Sequence, residues 1–576
     1  MAKKKKRLRV DRLIIVFVIL VVSIFILIKG IGFVINLASG AISKSEEVYL
    51  SSLTNEVKLY DTEFKEVKSL ARGTKVKYTG KEIEEKKDDK VVKTYARIIY
   101  DKEIYLVDNT SYAKEYMDSI KEEKMYVRTP VTVYKSESTS EILSHAKKGS
   151  ELEITGFDKL NKDGSVNKYK IKVSDTEGYV YSKYLVYSKE EADKYYDYNG
   201  NYETHKNRGD RFGGGDASTL DYYPVSKPKF KDNVMPEEVR SLYMNAGVIK
   251  DVDKYIDLAK SSNINAIVVD IKDNTSPGYP AEAMKKYSIT NYNKAMNTYE
   301  DYKAAIKKIK DAGLYAIGRI TTFKDSFYVK DNPTSAIIST STNSPYKHNG
   351  SYWPSVFSRD VWEFNVELGK ESVKEMGFNE IQFDYVRFPD RTGTIEKEGL
   401  VNMNNKYSES KAQAIQGFLM YACDEIHELG AYVSVDVFGE SANTYVAAYG
   451  QYWPAISNVV DVISGMPYPD HFARGEYGVS IPWTEPYKIL NLWGQAVSKR
   501  QNEIETPAIV RTWIQAYNAI YSPNVVYDAT MMENQIKGLY DAGLTGGYMT
   551  WNGSSNLSKY TSIASAFRKD YLNWKI

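Results

Sequence analysis

Acidic residues that close apolar runs are the first groups in this sequence able to do chemistry. Ile267-Val268-Val269-Asp270 continues to Lys272 and Asp273, Ile381-Gln382-Phe383-Asp384 leads into Tyr385-Val386-Arg387-Phe388-Pro389, and Val433-Ser434-Val435-Asp436 is followed by Glu440. Side chains alternate between the faces of a strand, so Gln382 shares a face with Asp384, and Ser434 with Asp436. Two such strands side by side would present two carboxylates to one mouth. Glycoside cleavage needs such a pair: one carboxylic acid protonates the leaving oxygen, and the other carboxylate attacks the anomeric carbon or activates water. Asp384, Asp436 and Glu440 are therefore the catalytic candidates, with Asp384 as the ionised member and Asp436 or Glu440 as the acid. Each also has a plainer reading, since a lone Asp at a strand end commonly caps a helix or pairs with an arginine.

Other strand ends supply candidate substrate contacts: Asp270, Lys272, Arg319, Arg387, Tyr468, Arg511, Trp513 and Trp551. Arg387 either binds substrate or holds Asp384 ionised by charge pairing. Trp353, Tyr385, Trp453 and Trp483 fall in or near the same connections, where flat rings could stack on sugar faces. His471 reads as a loop residue or sugar contact, and Cys423 as helix packing.

The elements that must position these residues are legible as alternating strand and helix signals from about 233 to 576. Strand candidates are Ser241–Met244, Ala266–Ile271, Tyr315–Thr321, Glu380–Val386, Tyr432–Phe438, Val462–Met466, Ala508–Trp513 and Gly547–Trp551. Amphipathic stretches lie between them, and Gly313, Gly377, Gly430 and Gly543 each stand where a helix C-cap belongs. Eight such units predict an α/β fold, a (β/α)8 TIM barrel, whose active site forms at the C-terminal strand ends. An open doubly wound sheet is the alternative, weakened by the lack of a Gly-rich fingerprint. Gly213-Gly214-Gly215 has neither a strand before it nor a helix after it, and so makes a poor phosphate loop.

Upstream, a basic tail at 1–12 precedes the apolar run 13–35, which predicts a single-pass membrane anchor with the N-terminus cytoplasmic and the rest extracellular. The competing expectation is a signal peptide cut near Gly40, which would give a secreted protein. Short β-rich runs separated by Gly turns predict two small all-β barrels, at 47–111 and 125–187. The segment 188–232, poor in hydrophobic periodicity, reads as a linker, and 233–576 as the catalytic domain.

Composition narrows the function classes. The 576 residues are 43% hydrophobic and 26% charged, enough for several globular domains. The net charge is +2, yet the basic tail alone exceeds this surplus, so the remainder is acidic and nucleic acid is not an expected partner. One cysteine excludes an intrachain disulfide and a Cys-based zinc cluster. No cofactor and no metal are expected. A metal-dependent hydrolase using Asp270, Asp273 and His471 is a weaker idea, because these groups reproduce no recognised ligand spacing.

Two resemblances add to this reading. Gly247-Val248, Val269-Asp270-Ile271-Lys272-Asp273, Gln382-Phe383-Asp384-Tyr385-Val386-Arg387-Phe388-Pro389 and Ser434-Val435-Asp436-Val437-Phe438-Gly439 resemble the glycoside hydrolase domain family long catalogued as a domain of unknown function and placed with the α-amylase-type barrels. That resemblance implies hydrolysis of a polysaccharide, with the strand 4 Asp as nucleophile. Many relatives in the wider clan carry a Glu acid at the end of strand 5, where this chain offers Asp436 and then Glu440. The run Gly178-Tyr179-Val180-Tyr181-Ser182-Lys183-Tyr184-Leu185 resembles bacterial SH3-like domains, which implies binding to the cell wall. The expectation is a cell-surface glycoside hydrolase acting on an envelope or extracellular polysaccharide. The alternative is a non-catalytic carbohydrate-binding or envelope-organising protein on the same scaffold.

Overall fold

The computed structural model describes residues 45–209 and 213–572. They divide into two compact units, one made of the chain up to Tyr126 with Glu151–Ser188, the other of Val127–Ser150 with the chain from Lys189 onward.

The first unit is β-rich and antiparallel. Seven strands between Glu46 and Ala113 form one sheet, whose longest hairpin pairs Lys75–Lys87 with Lys90–Tyr100. Alternation along these strands buries Val48, Leu50, Val57, Leu59, Val76, Ala96, Ile98 and Val107 in one apolar cluster. Glu151–Phe157, Lys168–Val173 and Thr176–Tyr181 pair in sequence as further antiparallel strands. A buried ion pair, Arg72 Nη1 to Glu122 Oε1 at 2.7 Å, is completed by the Tyr169 hydroxyl donating to the same oxygen at 2.8 Å.

The expected membrane anchor needs correction. Residues 13–35 lie outside the described residues, and among the described residues no helix is long and apolar enough to cross a membrane. The placement of the chain in a cell membrane is therefore withdrawn.

The second unit contains a nearly closed parallel barrel. Its strands are β1 (Val239–Met244), β2 (Ala266–Asp273), β3 (Tyr315–Thr321), β4 (Glu380–Asp384), β5 (Tyr432–Phe438), β6 (Val462–Met466), β7 (Ile509–Val510), β8 (Thr512–Gln515) and β9 (Gly547–Trp551). Neighbours in the sequence are neighbours in the sheet from β1 to β7, and β9 pairs with both β1 and β8. The two short segments β7 and β8 share one barrel position interrupted at Arg511, β7 pairing with β6 and β8 with β9. Eight positions are thus filled by nine segments in a TIM-barrel-like arrangement.

Helices follow the strands on the outside, among them Val252–Ser261, Tyr299–Asp311, Arg359–Glu371, Lys411–His427, Pro486–Gln501, Ala529–Asp541 and Leu557–Phe567. Their ends are set by local chemistry. Ser410 and Gln413 form a capping box at the start of Lys411–His427, and Thr298, Asp528 and Asn556 accept backbone N–H bonds at three other helix starts. Gly313, Gly377, Gly430 and Gly543 all adopt φ between +72° and +86°, the left-handed cap that only glycine enters freely.

Inside the barrel the residues stack in layers. At the lower end Arg511 Nη1 pairs with Glu380 Oε1 at 2.7 Å, both side chains 0% exposed, and Tyr315 donates to the other Glu380 oxygen. Above them the Gln382 amide reaches Met549 Sδ across the interior. The segment read as a linker is not bare chain: Ala217, Leu220 and Tyr222 are buried with Ala412, Val446, Tyr452, Ala455 and Ile504, and His205 Nδ1 lies 3.0 Å from the Tyr452 hydroxyl.

Candidate functional site

Register brings the acidic strand ends together. Asp270 on β2 stands opposite Arg319 on β3, Thr321 on β3 opposite Asp384 on β4, Gln382 on β4 opposite Ser434 on β5, and Asp436 on β5 opposite Ser464 on β6. Arg319 is the hub. Its Nη1 donates to Asp270 Oδ1 at 2.7 Å, and its Nη2 and Nε donate to Asp384 Oδ2 at 2.6 and 3.1 Å. At 2% exposure, this guanidinium has lost water on every side, and its neighbours replace it. Tyr243 at the end of β1 donates to Asp270 Oδ2 at 2.5 Å, and Trp551 and Tyr243 place their rings 5.4 and 5.8 Å from the guanidinium carbon.

The two proposed catalytic carboxyls differ in what holds them. Asp384 receives Arg319 on one oxygen and the Tyr385 backbone N–H on the other at 2.5 Å. Tyr385 adopts φ +53°, a left-handed conformation in which a non-glycine residue stores about 1–3 kcal/mol of strain. Asp436 receives only the neutral Trp513 indole N–H, at 2.7 Å on Oδ1, while its buried Oδ2 has no hydrogen-bond partner. Burial first, and the charge of Asp384 second, raise the Asp436 pKa well above the usual carboxylate range. Burial likewise pushes Asp270 up to about 6, against the pull of Arg319. Asp273 goes the other way: burial would raise it, but Arg319 and the Thr321 hydroxyl outweigh that and lower it.

A cleft of about 720 Å³ opens over the ends of β5 and β6, lined by Phe438, Glu440, Tyr445, Met466, Asp470, His471, Arg474, Trp483 and Tyr521 among others. Glu440 is exposed there, accepting from the Tyr449 hydroxyl at 2.7 Å and the Tyr445 hydroxyl at 3.2 Å. Asp384 and Asp436, 5% and 1% exposed, are not part of the cleft wall.

Several sequence candidates stand elsewhere or take another partner. Lys272 is fully buried and pairs with Asp325 Oδ2 at 2.8 Å, because a register irregularity between Asp270 and Lys272 breaks the alternation that would have kept both on one face. Arg511 lies one layer below the mouth, committed to Glu380. Arg387 pairs with Asp390 at 3.1 Å, and the ion pair with Asp384 is made by Arg319 instead. Tyr468 is buried in the barrel cluster with Trp513, close enough for Asp436 and Asp384 to raise its pKa further after burial has done so. Trp453 is buried outside the barrel, donating to Gln501 Oε1 at 2.9 Å. Among the described residues no three His, Cys, Asp or Glu side chains are grouped to hold a metal. Sequence reasoning missed Tyr243, although its place at the end of the first strand is a usable signal.

A family model described as "Putative glycosyl hydrolase domain" matches residues 241–557, which hold the whole Arg319 cluster. Among solved structures, a hypothetical protein from Ruminiclostridium thermocellum is 30% identical over 34% of this chain and 97% of its own, with a TM-score of 0.29. The glycoside hydrolase domain of PgaB (BpsB) from Bordetella bronchiseptica is 14% identical over 57% and 99%, with a TM-score of 0.41. Flavobacterium johnsoniae chitobiase is 12% identical over 57% and 48%, with a TM-score of 0.37. No curated protein matches. Since the matched segment covers more than half of the 576 residues, the chain belongs to the "Putative glycosyl hydrolase domain" family.

Proposed function

We propose that the barrel is a glycoside hydrolase acting on a polysaccharide, with Asp436 as general acid and Asp384 as the carboxylate that meets the developing positive charge at the anomeric carbon. The observation that carries this reading is the asymmetry of the pair. Asp384 is tied to a guanidinium and a backbone N–H, whereas Asp436 is buried beside that negative charge with one oxygen unpartnered. An acid must hold its proton at the working pH, and burial near a like charge is how a carboxyl does so. In the reaction the Asp436 proton passes to the glycosidic oxygen as the bond from that oxygen to the anomeric carbon breaks. Water supplies the hydroxyl that ends on the anomeric carbon and the proton that restores Asp436. Arg319 fixes Asp384 throughout and screens its charge from Asp270.

In the same proposal Glu440, with Trp483 and Tyr521, belongs to a neighbouring cleft that holds a flanking part of the sugar chain, and the β-rich segments 47–111 and 125–187 act as SH3-like modules for wall glycan or peptide. The test compares reducing-end release from polysaccharide by the wild type and by Asp384→Asn. Loss of about 10³-fold or more supports the enzyme. Glycan binding without release by both proteins refutes it and favours a binding module.

A further inference from the structure

The mouth of the barrel beside Asp384 carries cations that the proposed chemistry does not use. Lys324, three residues beyond the end of β3, is half-buried, and among the described residues it takes part in no ion pair. Its Nζ stands 4.8 Å from the ring centroid of Tyr385 and 6.0 Å from that of Trp353, with the Tyr385 hydroxyl at 3.5 Å. Arg387 approaches the same two rings, its guanidinium carbon 4.9 Å from Tyr385 and 5.1 Å from Trp353. Tyr385 is the residue after Asp384, so both cations gather on the ring that continues the proposed catalytic strand.

The acids nearby do not pair with Lys324. Asp390 takes Arg387 but is itself about half exposed, and Asp273 is held by Thr321 at 2.7 Å and faces Arg319 at 3.9 Å. Lys324 does favour the ionised form of Asp273, though no ion pair forms between them. The two rings attract the ammonium, and with one of its three donors given to the Tyr385 hydroxyl the others are left for an acceptor, which an anion meets best. A neutral sugar supplies hydroxyls, which any polar side chain could meet; an oxyanion makes specific use of a lysine beside an arginine.

We propose that Lys324, seconded by Arg387, forms a subsite for the oxyanion of an acidic sugar unit, a carboxylate or a phosphate, in the chain bound next to Asp384. This rests on the glycosidase reading of the barrel, and it names the substrate as an anionic polysaccharide.

The experiment uses the full chain carrying Asp384→Asn, so that bound glycan is not consumed. Calorimetric titration is made with hyaluronan hexasaccharide and its carboxyl-reduced counterpart, and with a phosphodiester-linked N-acetylglucosamine oligomer and its neutral β-linked counterpart. At least one acidic probe should bind about tenfold more tightly than its neutral counterpart, with an advantage that shrinks as salt is raised. Adding Lys324→Gln should reduce that ratio about tenfold, and Lys324→Arg should keep most of it. Which acidic probe gains tells carboxylate from phosphate. Absence of any acidic preference, or a preference untouched by Lys324→Gln, overturns the proposal. Acidic selectivity without turnover by the wild type would instead overturn the glycosidase reading and leave the subsite standing.

Discussion

The sharpest consequence of the site geometry concerns Asp436→Asn. The amide keeps an oxygen for the Trp513 N–H, which reaches Oδ1 at 2.7 Å, but it cannot release a proton. General acid catalysis contributes about 10²–10⁴-fold, so kcat/KM on the natural polysaccharide should fall by that factor. An aryl glycoside with a dinitrophenolate leaving group needs no protonation, and on it the loss should shrink to within about tenfold. The same substitution should remove a loss of stability that grows with pH. The folded pKa of Asp436 is raised, chiefly by burial, while the unfolded chain titrates near 3.9. Above about pH 4 the unfolded state gives up a proton that the folded state retains. The wild type therefore loses about 1.4 kcal/mol of stability per pH unit from there up to its folded pKa, a slope the Asn variant lacks. Thermal melts taken from pH 4 upward should show the variant gaining on the wild type as the pH rises towards the folded pKa. Equal kinetic losses on natural and activated substrates, or a stability difference independent of pH, would refute the assignment. If Glu440→Gln showed the rescue instead, the acid would be the exposed carboxyl in the cleft.

Arg319→Lys keeps the charge but cannot reproduce three hydrogen bonds to two carboxylates, at about 1.5–3 kcal/mol each; kcat/KM should fall at least 10²-fold and the melting temperature with it, and an unchanged rate would remove Arg319 from the site. Glu380→Gln leaves Arg511 uncompensated in the barrel and should cost about 3–5 kcal/mol by denaturant titration, whereas the double variant Glu380→Leu/Arg511→Met should recover most of it with turnover preserved, because the pair lies a layer below the mouth. Gly465→Ala would set a methyl group 2.5 Å from the Trp493 ring, an overpacking cost of about 1–3 kcal/mol, and a melt equal to wild type would contradict the packing.

Local rules carried the sequence reading wherever they had no competitor. The glycines at 313, 377, 430 and 543 marked helix ends because only one conformation suits them, and period-two alternation put Asp384 and Asp436 on interior faces of adjoining strands. The failures were matters of register and depth. Lys272 follows Asp270 by two residues, a spacing that shares a face in a regular strand, but the register irregularity between them turns it towards Asp325. Arg511 shares a face with Trp513 but stands a layer lower, where Glu380 claims it; no strand read alone shows which of two inward side chains reaches the mouth. The 188–232 segment lacked a periodic apolar pattern, yet Leu220 and Tyr222 bury themselves on neighbouring helices, since isolated large side chains can dock without any period.

The division of labour at the site follows from counting charge against donors. Asp270, Asp273, Asp384 and Asp436 crowd one guanidinium, and four carboxylates cannot all stay ionised there. Asp273, with a side chain 40% exposed, retains solvent and the Thr321 hydroxyl. Asp270 and Asp384 take the Arg319 nitrogens directly. Asp436 is left with an indole N–H and no cation in contact, so it is the group on which a proton relieves the most repulsion for the least lost bonding. On the glycosidase reading, the proton therefore resides on β5 and the negative charge on β4, one strand apart, and Arg319 on β3 sets that polarity.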